Sequence, residues 1–356
     1  MVNIPLSKSG LKLFSNDVEE TINEELPITE KSLEELKKSP ESFSATIVTP
    51  SKVEKNYYND FDCSLIYFET ELPIDVKDRE IFYSSDGDFT FVARNLTQNQ
   101  ERALLFIAAH KSVQTLHLKR ELGIGGEKLK SIISFLWKAQ LINKWKFNRA
   151  DNDETAYTYT ISRNGAYVAR ATNKIMATSI YDWQAWFRTD DLQHIRMWKL
   201  VDAYQILSKM EGYQAFNPLV VYPETSVKKA GKRRYIPSVA LNGLIEFKLS
   251  DSLIKFGLVP ILDKRDNRYL NRLFLQWSTI QKDNDYLLLV VDDIERMKEL
   301  YVELDMASID LNLLFMDLST AHETDLRKAV FLLVGDEKGN KEFKTVDFRI
   351  DISGGQ

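Results

Sequence analysis

The break Gly123-Ile124-Gly125-Gly126 constrains this chain more than any other stretch, because of what lies on either side of it. Before it, Leu104, Leu105, Ile107 and Ala108 have helical spacing in a segment that opens at Thr97, and a short helix is expected over Thr115 to Leu122. The break itself provides residues that tolerate positive φ. After it, Leu129, Ile132, Ile133 and Leu136 recur three and four apart, which predicts a helix over Glu127 to Gln140 with Glu127, Lys128, Lys130, Ser131 and Ser134 turned away from its apolar face. Lys144-Trp145-Lys146-Phe147 and Tyr157-Thr158-Tyr159-Thr160-Ile161 then alternate with period two around a polar tip, as a hairpin does. Helix, short helix, tight turn, longer helix and hairpin is the order of a winged helix-turn-helix.

In such a unit the helix after the turn is the one suited to a DNA major groove, and Lys and Ser near its start are suitable contacts. The candidates are Lys128, Lys130, Ser131 and Ser134 for base or phosphate contacts, with Arg120, Lys144, Lys146 and Arg149 on the backbone. Charge agrees. Residues 96–171 hold 12 Lys and Arg against 6 Asp and Glu, whereas residues 1–95 hold 10 against 19 and the remainder 25 against 27. A basic module within a chain of net charge −5 is what phosphate affinity needs, although a solvated surface could show the same imbalance. The tip Asp151-Asn152-Asp153-Glu154 would repel phosphate, which moves the expected contact from the wing tip to the helix and the strand stems.

The other segments are less pointed. Residues 1–56 are polar and acidic and are expected to be a flexible arm, with one short helix opening at Thr29 and ending near Pro40. Residues 57–95 are expected to form a β-hairpin extension: Ser64 to Phe68 and Glu80 to Tyr83 are strand-like, and Ser85-Asp86-Gly87-Asp88 is a turn leading into Phe89-Thr90-Phe91-Val92. The winged helix is bounded at 96–175. From 183 to 356, strand and helix patterns alternate, which favours a mixed sheet and an α/β class, α+β over the whole chain. Within it Val239-Ala240-Leu241, Asn242-Gly243 and Leu244 to Lys248 read as a hairpin, and Lys228, Lys229, Lys232, Arg233 and Arg234 as a second basic loop, which is equally readable as a phosphate-binding region or as a mobile, unpaired surface loop.

One cysteine, Cys63, excludes an internal disulfide framework and a cysteine-built zinc site, and the four histidines show no metal-ligand spacing. No metal and no cofactor are expected. The sequence lacks a phosphate-binding Gly-x-x-x-x-Gly-Lys loop, a dinucleotide fingerprint and a nucleophile elbow. It also has no apolar run long enough to cross a bilayer, so the expected location is cytoplasmic, without membrane association.

The phrase Tyr159-Thr160-Ile161-Ser162-Arg163-Asn164-Gly165-Ala166, preceded by Leu96-Thr97 and followed by His194, Pro237-Ser238 and the run from Tyr286 to Leu300, resembles the replication-relaxation family of plasmid and conjugative-element proteins over roughly residues 97–320. That resemblance implies a restriction-endonuclease-like second domain and a role in plasmid replication or mobilisation. The implied partners are double-stranded DNA, a replication, relaxase or transposition protein, and a second copy in a homodimer. Metal-dependent cleavage in that fold needs an acidic pair and a nearby lysine. Ser238 stands where an acid is expected, leaving Glu246, Lys248 and Asp263 as remnant candidates and a catalytically silent domain as the expectation. The alternatives are a metal-dependent endonuclease or transposition enzyme, and a winged-helix protein-interaction module.

Overall fold

The computed structural model describes residues 26–27, 64–68, 85–149, 152–174, 191–210 and, with short gaps, 212–346. The chain divides into two compact units, residues 60–205 and residues 1–59 with 206–356. Strand β1 (Leu26–Pro27) belongs to the latter, so this part of the expected arm is paired into a sheet; the helix expected after Thr29 lies outside the described residues.

In the 60–205 unit, β2 (Ser64–Phe68) is followed by helix α1 (Asp86–Asn95), which corrects the expected hairpin. The segment that reads as a turn is a helix start: the Asp88 carboxylate accepts from Ser85 N at 2.8 Å, and Asp86 and Asp88 complement the positive end of the helix. Phe89, Val92, Ala93 and Leu96 then share a helical face against the core, while Phe91, which an extended chain would align with Phe89, is exposed. Glu80 to Tyr83, the expected partner strand, lie outside the described residues.

Helix α2 (Gln98–His110) opens with a reciprocal cap, Gln100 N donating to Thr97 Oγ1 and Thr97 N to Gln100 Oε1. Strand β3 (Ser112–Gln114), helix α3 (Thr115–Leu122) and helix α4 (Gly126–Lys138) follow. Only Gly123 uses a left-handed conformation, at φ 64°, to end α3; Gly125 and Gly126 have ordinary φ and begin α4. Strands β4 (Ile142–Arg149) and β5 (Asn152–Ile161) form the wing in a four-stranded sheet of order β2-β4-β5-β3. The β2 strand therefore pairs with the wing.

Helix α5 (Arg163–Ala171) starts at Ser162, whose hydroxyl accepts from Gly165 N and donates to Gln140 O. Gly165 is a close-packing position. A Cβ there would lie 1.8 Å from Leu141 O and 2.8 Å from Ile161 Cδ1. Helix α6 (Asp191–Leu207), as far as Gln205, belongs to this same unit, and side chains all round it are buried.

The second unit is a mixed α/β structure. Strands β6 (Tyr213–Asn217), β11 (Gly243–Leu249), β12 (Ser252–Pro260), β13 (Asp285–Val291), β14 (Leu313–Asp317), β15 (Val330–Gly335) and β16 (Lys341–Thr345), with β1, make an eight-stranded sheet ordered β1-β16-β15-β14-β13-β12-β11-β6. The β12-β13-β14 steps are parallel and are bridged by α7 (Asn267–Ile280) and α8 (Ile294–Glu303); the other pairings are antiparallel. Leu270, Leu273 and Trp277 of α7 and Met297 and Leu300 of α8 pack with Leu287, Leu289 and Phe315 of the sheet. Strand β15 is internal to this sheet, and β16 carries β1.

The Asn242-Gly243 hairpin does not form. Strand β10 (Val239–Leu241) pairs with β7 (Val220–Tyr222) in a sheet of its own, whereas β11 pairs with β12 and β6. Between them, β8 (Thr225–Lys229) and β9 (Lys232–Ile236) form a two-stranded ribbon where a basic loop was expected.

Candidate nucleic-acid interface

Helix α4 buries Leu129, Ile132, Ile133 and Leu136 and exposes Glu127, Lys128, Lys130, Ser131 and Lys138; Ser134 is half-buried. Its N-terminus is bare. Gly125 supplies no side-chain cap, and a Cβ at Gly125 or Gly126 would meet nothing within 4 Å. Unsatisfied amides and the helix dipole therefore face open space where an anion could approach.

Charge along this face is graded. Lys130 Nζ lies 2.8 Å from Glu127 Oε1, both fully exposed, and this hydrogen bond raises the lysine above its usual range and lowers the glutamate. Glu127 thus screens Lys130, whereas Lys128 points away from the core on the same turn. Lys119, on α3 just before the glycine break, is also exposed. It was missed by sequence reasoning, yet the buried spacing of Leu118 and Leu122 around it marks position 119 as an outer one.

Two expected backbone contacts have other uses. Arg120 Nη1 lies 2.5 Å from Oδ1 of Asp202 on α6, and His117 Nε2 is 3.3 Å from the same oxygen. Asp202 is 1% exposed, so Arg120 neutralises a buried carboxylate. Lys144 lies between two rings, its Nζ 4.9 Å from the centroid of Trp137 and 3.9 Å from that of Tyr157. Partial desolvation lowers its pKa. For Lys146 and Arg149 the backbone places are set: Lys146 is registered with Ile66 and Tyr157, and Arg149 with Asn152 at the tip of the wing. Their side chains and Asp151 lie outside the described residues.

What sequence reasoning did not find is the polar frame behind the helix-turn-helix. Ser112 Oγ is 2.8 Å from His194 Nδ1 and 3.1 Å from Thr158 Oγ1, and Trp198 Nε1 donates to both hydroxyls at 3.0 and 3.1 Å. Thr158 Oγ1 also donates to Val113 O, and Gln205 Nε2 donates to His117 O at 2.8 Å. Burial lowers His194 to about 3, so its ring is neutral near neutral pH. These bonds tie α6 to β3, β5 and α3.

Two of the three remnant nuclease candidates, Glu246 and Lys248, fall within the described residues. Glu246 on β11 is bridged at 2.9 Å to Lys255, its registered partner on β12; Lys248 is exposed, and Asp263 lies outside the described residues. Ser238 is exposed just before β10, a strand in a different sheet from Glu246. Among the described residues no group of three or more His, Cys, Asp or Glu could hold a metal ion, and no helix is long and apolar enough to cross a membrane.

No protein-family model and no curated protein matches this sequence. Among solved structures, the crystal structure of a zinc-responsive MarR family member of Lactococcus lactis is similar over 38% of this chain and 88% of that one, at 18% identity and a TM-score of 0.20. At that score the helix-turn-helix and wing rest on this chain's own element order and packing.

Proposed function

We propose that the protein is a sequence-specific double-stranded DNA-binding protein that reads its site with α4, and that it serves as an accessory or initiator-like factor in the replication or mobilisation of a mobile genetic element. The observation that supports DNA binding is the exposed face of α4: Lys128 and Ser131 beside a bare, glycine-lined helix N-terminus, in the basic segment of an acidic chain. The element-specific role rests on the Tyr159 to Ala166 phrase and its resemblance. In this reading the α/β unit dimerises or recruits a partner; the Glu246–Lys255 ion pair favours that over metal-dependent cleavage.

Selection of bound duplexes from a random pool, followed by footprinting, tests the proposal. A recurrent motif should emerge whose affinity falls with added salt, and Lys128→Ala should weaken it. A pool that never converges, with no binding at low salt, would overturn it. Nicking of supercoiled plasmid in Mg²⁺ or Mn²⁺ would overturn the silent assignment of the α/β unit.

A further inference from the structure

The segment expected to be a basic loop carries its charge on a defined scaffold. Strands β8 and β9 pair antiparallel with Thr225 opposite Ile236, Ser226 opposite Tyr235, Val227 opposite Arg234, Lys228 opposite Arg233 and Lys229 opposite Lys232. This ribbon pairs with no other strand among the described residues. No Asp or Glu occurs between Glu224 and Glu246, so five cations stand here without an acidic residue in the segment.

The register makes the arrangement unfavourable in isolation. Two successive cross-strand pairs, Lys228 with Arg233 and Lys229 with Lys232, set like charges directly opposite, which destabilises a sheet. A two-stranded ribbon is itself marginal in water. An external polyanion would remove the repulsion. By the two-residue alternation of a strand, positions 228 and 233 fall on one face and positions 229, 232 and 234 on the other. Basic positions on both faces suit a ligand that surrounds the ribbon with phosphates more than a protein surface that meets one face.

We propose that the β8–β9 ribbon is a second DNA-binding element, which enters a duplex groove with phosphate backbones on both sides. A two-stranded ribbon fits a major groove about 12 Å wide. Five residues per strand give it a reach of about 17 Å, enough to cross from one backbone to the other. Tyr235, 66% exposed opposite Ser226, lies at its base. This contact is on the unit that does not carry α4 and stands without the α4 reading.

The test uses the full chain and a random-sequence 40-base-pair duplex. The slope of log affinity against log salt should fall by up to about 4.5 when Lys228, Lys229, Lys232, Arg233 and Arg234 are all changed to Gln, at about 0.9 for each lost phosphate contact. Affinity at 0.1 M salt should drop roughly tenfold or more. Lys128→Ala, run in parallel on the random duplex and on the selected motif, should weaken motif binding while leaving the ribbon's share of the slope, so the two elements fail separately. Acetylation of the unaltered protein, read by mass spectrometry, avoids any question of variant folding: duplex should protect Lys228, Lys229 and Lys232. An unchanged slope, or equal acetylation with and without duplex, overturns the proposal. Protection by poly-L-glutamate matching that by an equal charge of duplex overturns it in favour of an acidic protein partner.

Discussion

Arg120 and Asp202 are 82 positions apart in the sequence and 2.5 Å apart in the structure, and their contact ties the helix-turn-helix to α6. Arg120→Ala leaves a carboxylate 1% exposed without its guanidinium partner, and should cost about 3 kcal/mol of stability. Asp202→Asn should cost less, because Arg120 is 26% exposed and can turn to solvent. Urea unfolding measures both. A reduced salt slope for DNA binding in Arg120→Ala with stability intact would instead make Arg120 a phosphate contact.

Glu127 weakens its own helix as an anion site by holding Lys130 and adding a negative charge to the first turn. Glu127→Gln should tighten binding to random duplex several-fold and steepen the salt slope by up to about 1. Fluorescence anisotropy across a salt series checks this, and weaker binding would mean that Glu127 contributes to base recognition.

Lys144 serves packing. Lys144→Ala should remove about 1 kcal/mol or more through the lost ring contacts of Trp137 and Tyr157, with no change in salt slope. Lys144→Met, which keeps the stem, should lose less. Thermal unfolding beside anisotropy separates this from a phosphate contact, which would show in the slope alone.

Gly165→Ala places a methyl 1.8 Å from a backbone oxygen that cannot move without shifting the turn before β4. The expected cost is about 3 kcal/mol or more, seen as a large fall in Tm. A variant with the parent Tm would show that α5 can slide away from Leu141.

Burial lowers His194 and His110 to about 3, well below the value near 6.5 of an unfolded chain. Between those values the unfolded state binds more protons, so the contribution is neutral above pH 6.5 and becomes increasingly destabilising as pH falls toward 3. Each histidine should add a slope of about 1.4 kcal/mol per pH unit within that window. Unfolding free energies at pH 5 and 7 measure it, and His194→Gln should remove one of the two contributions. An unchanged difference would mean that His194 titrates normally.

Local patterns were legible wherever they were strong. The span Thr115 to Leu122 and the opening of a helix at Thr97 follow from spacing and side-chain chemistry alone, because caps and amphipathic faces are settled within a few residues. The failures are local signals that tertiary pairing overrode. Ser85-Asp86-Gly87-Asp88 has turn chemistry, but the same carboxylates cap a helix, and Phe89, Val92 and Ala93 gain more by facing a core together. Asn242-Gly243 has hairpin chemistry, yet β10 and β11 each found better partners elsewhere.

For the candidate site, the sequence by itself determined that α4 would expose Lys128, Lys130 and Ser131, since helical periodicity alone decides which side of an amphipathic helix turns outward. Only the tertiary structure decided which cations are at liberty to meet a ligand. Arg120 was claimed by Asp202 and Lys144 by two aromatic rings, while the five basic positions from Lys228 to Arg234 were set in register on a ribbon. Charge can be counted along a chain, but its availability depends on partners brought together by folding, and a buried carboxylate such as Asp202 holds its counter-ion more firmly than solvent releases it.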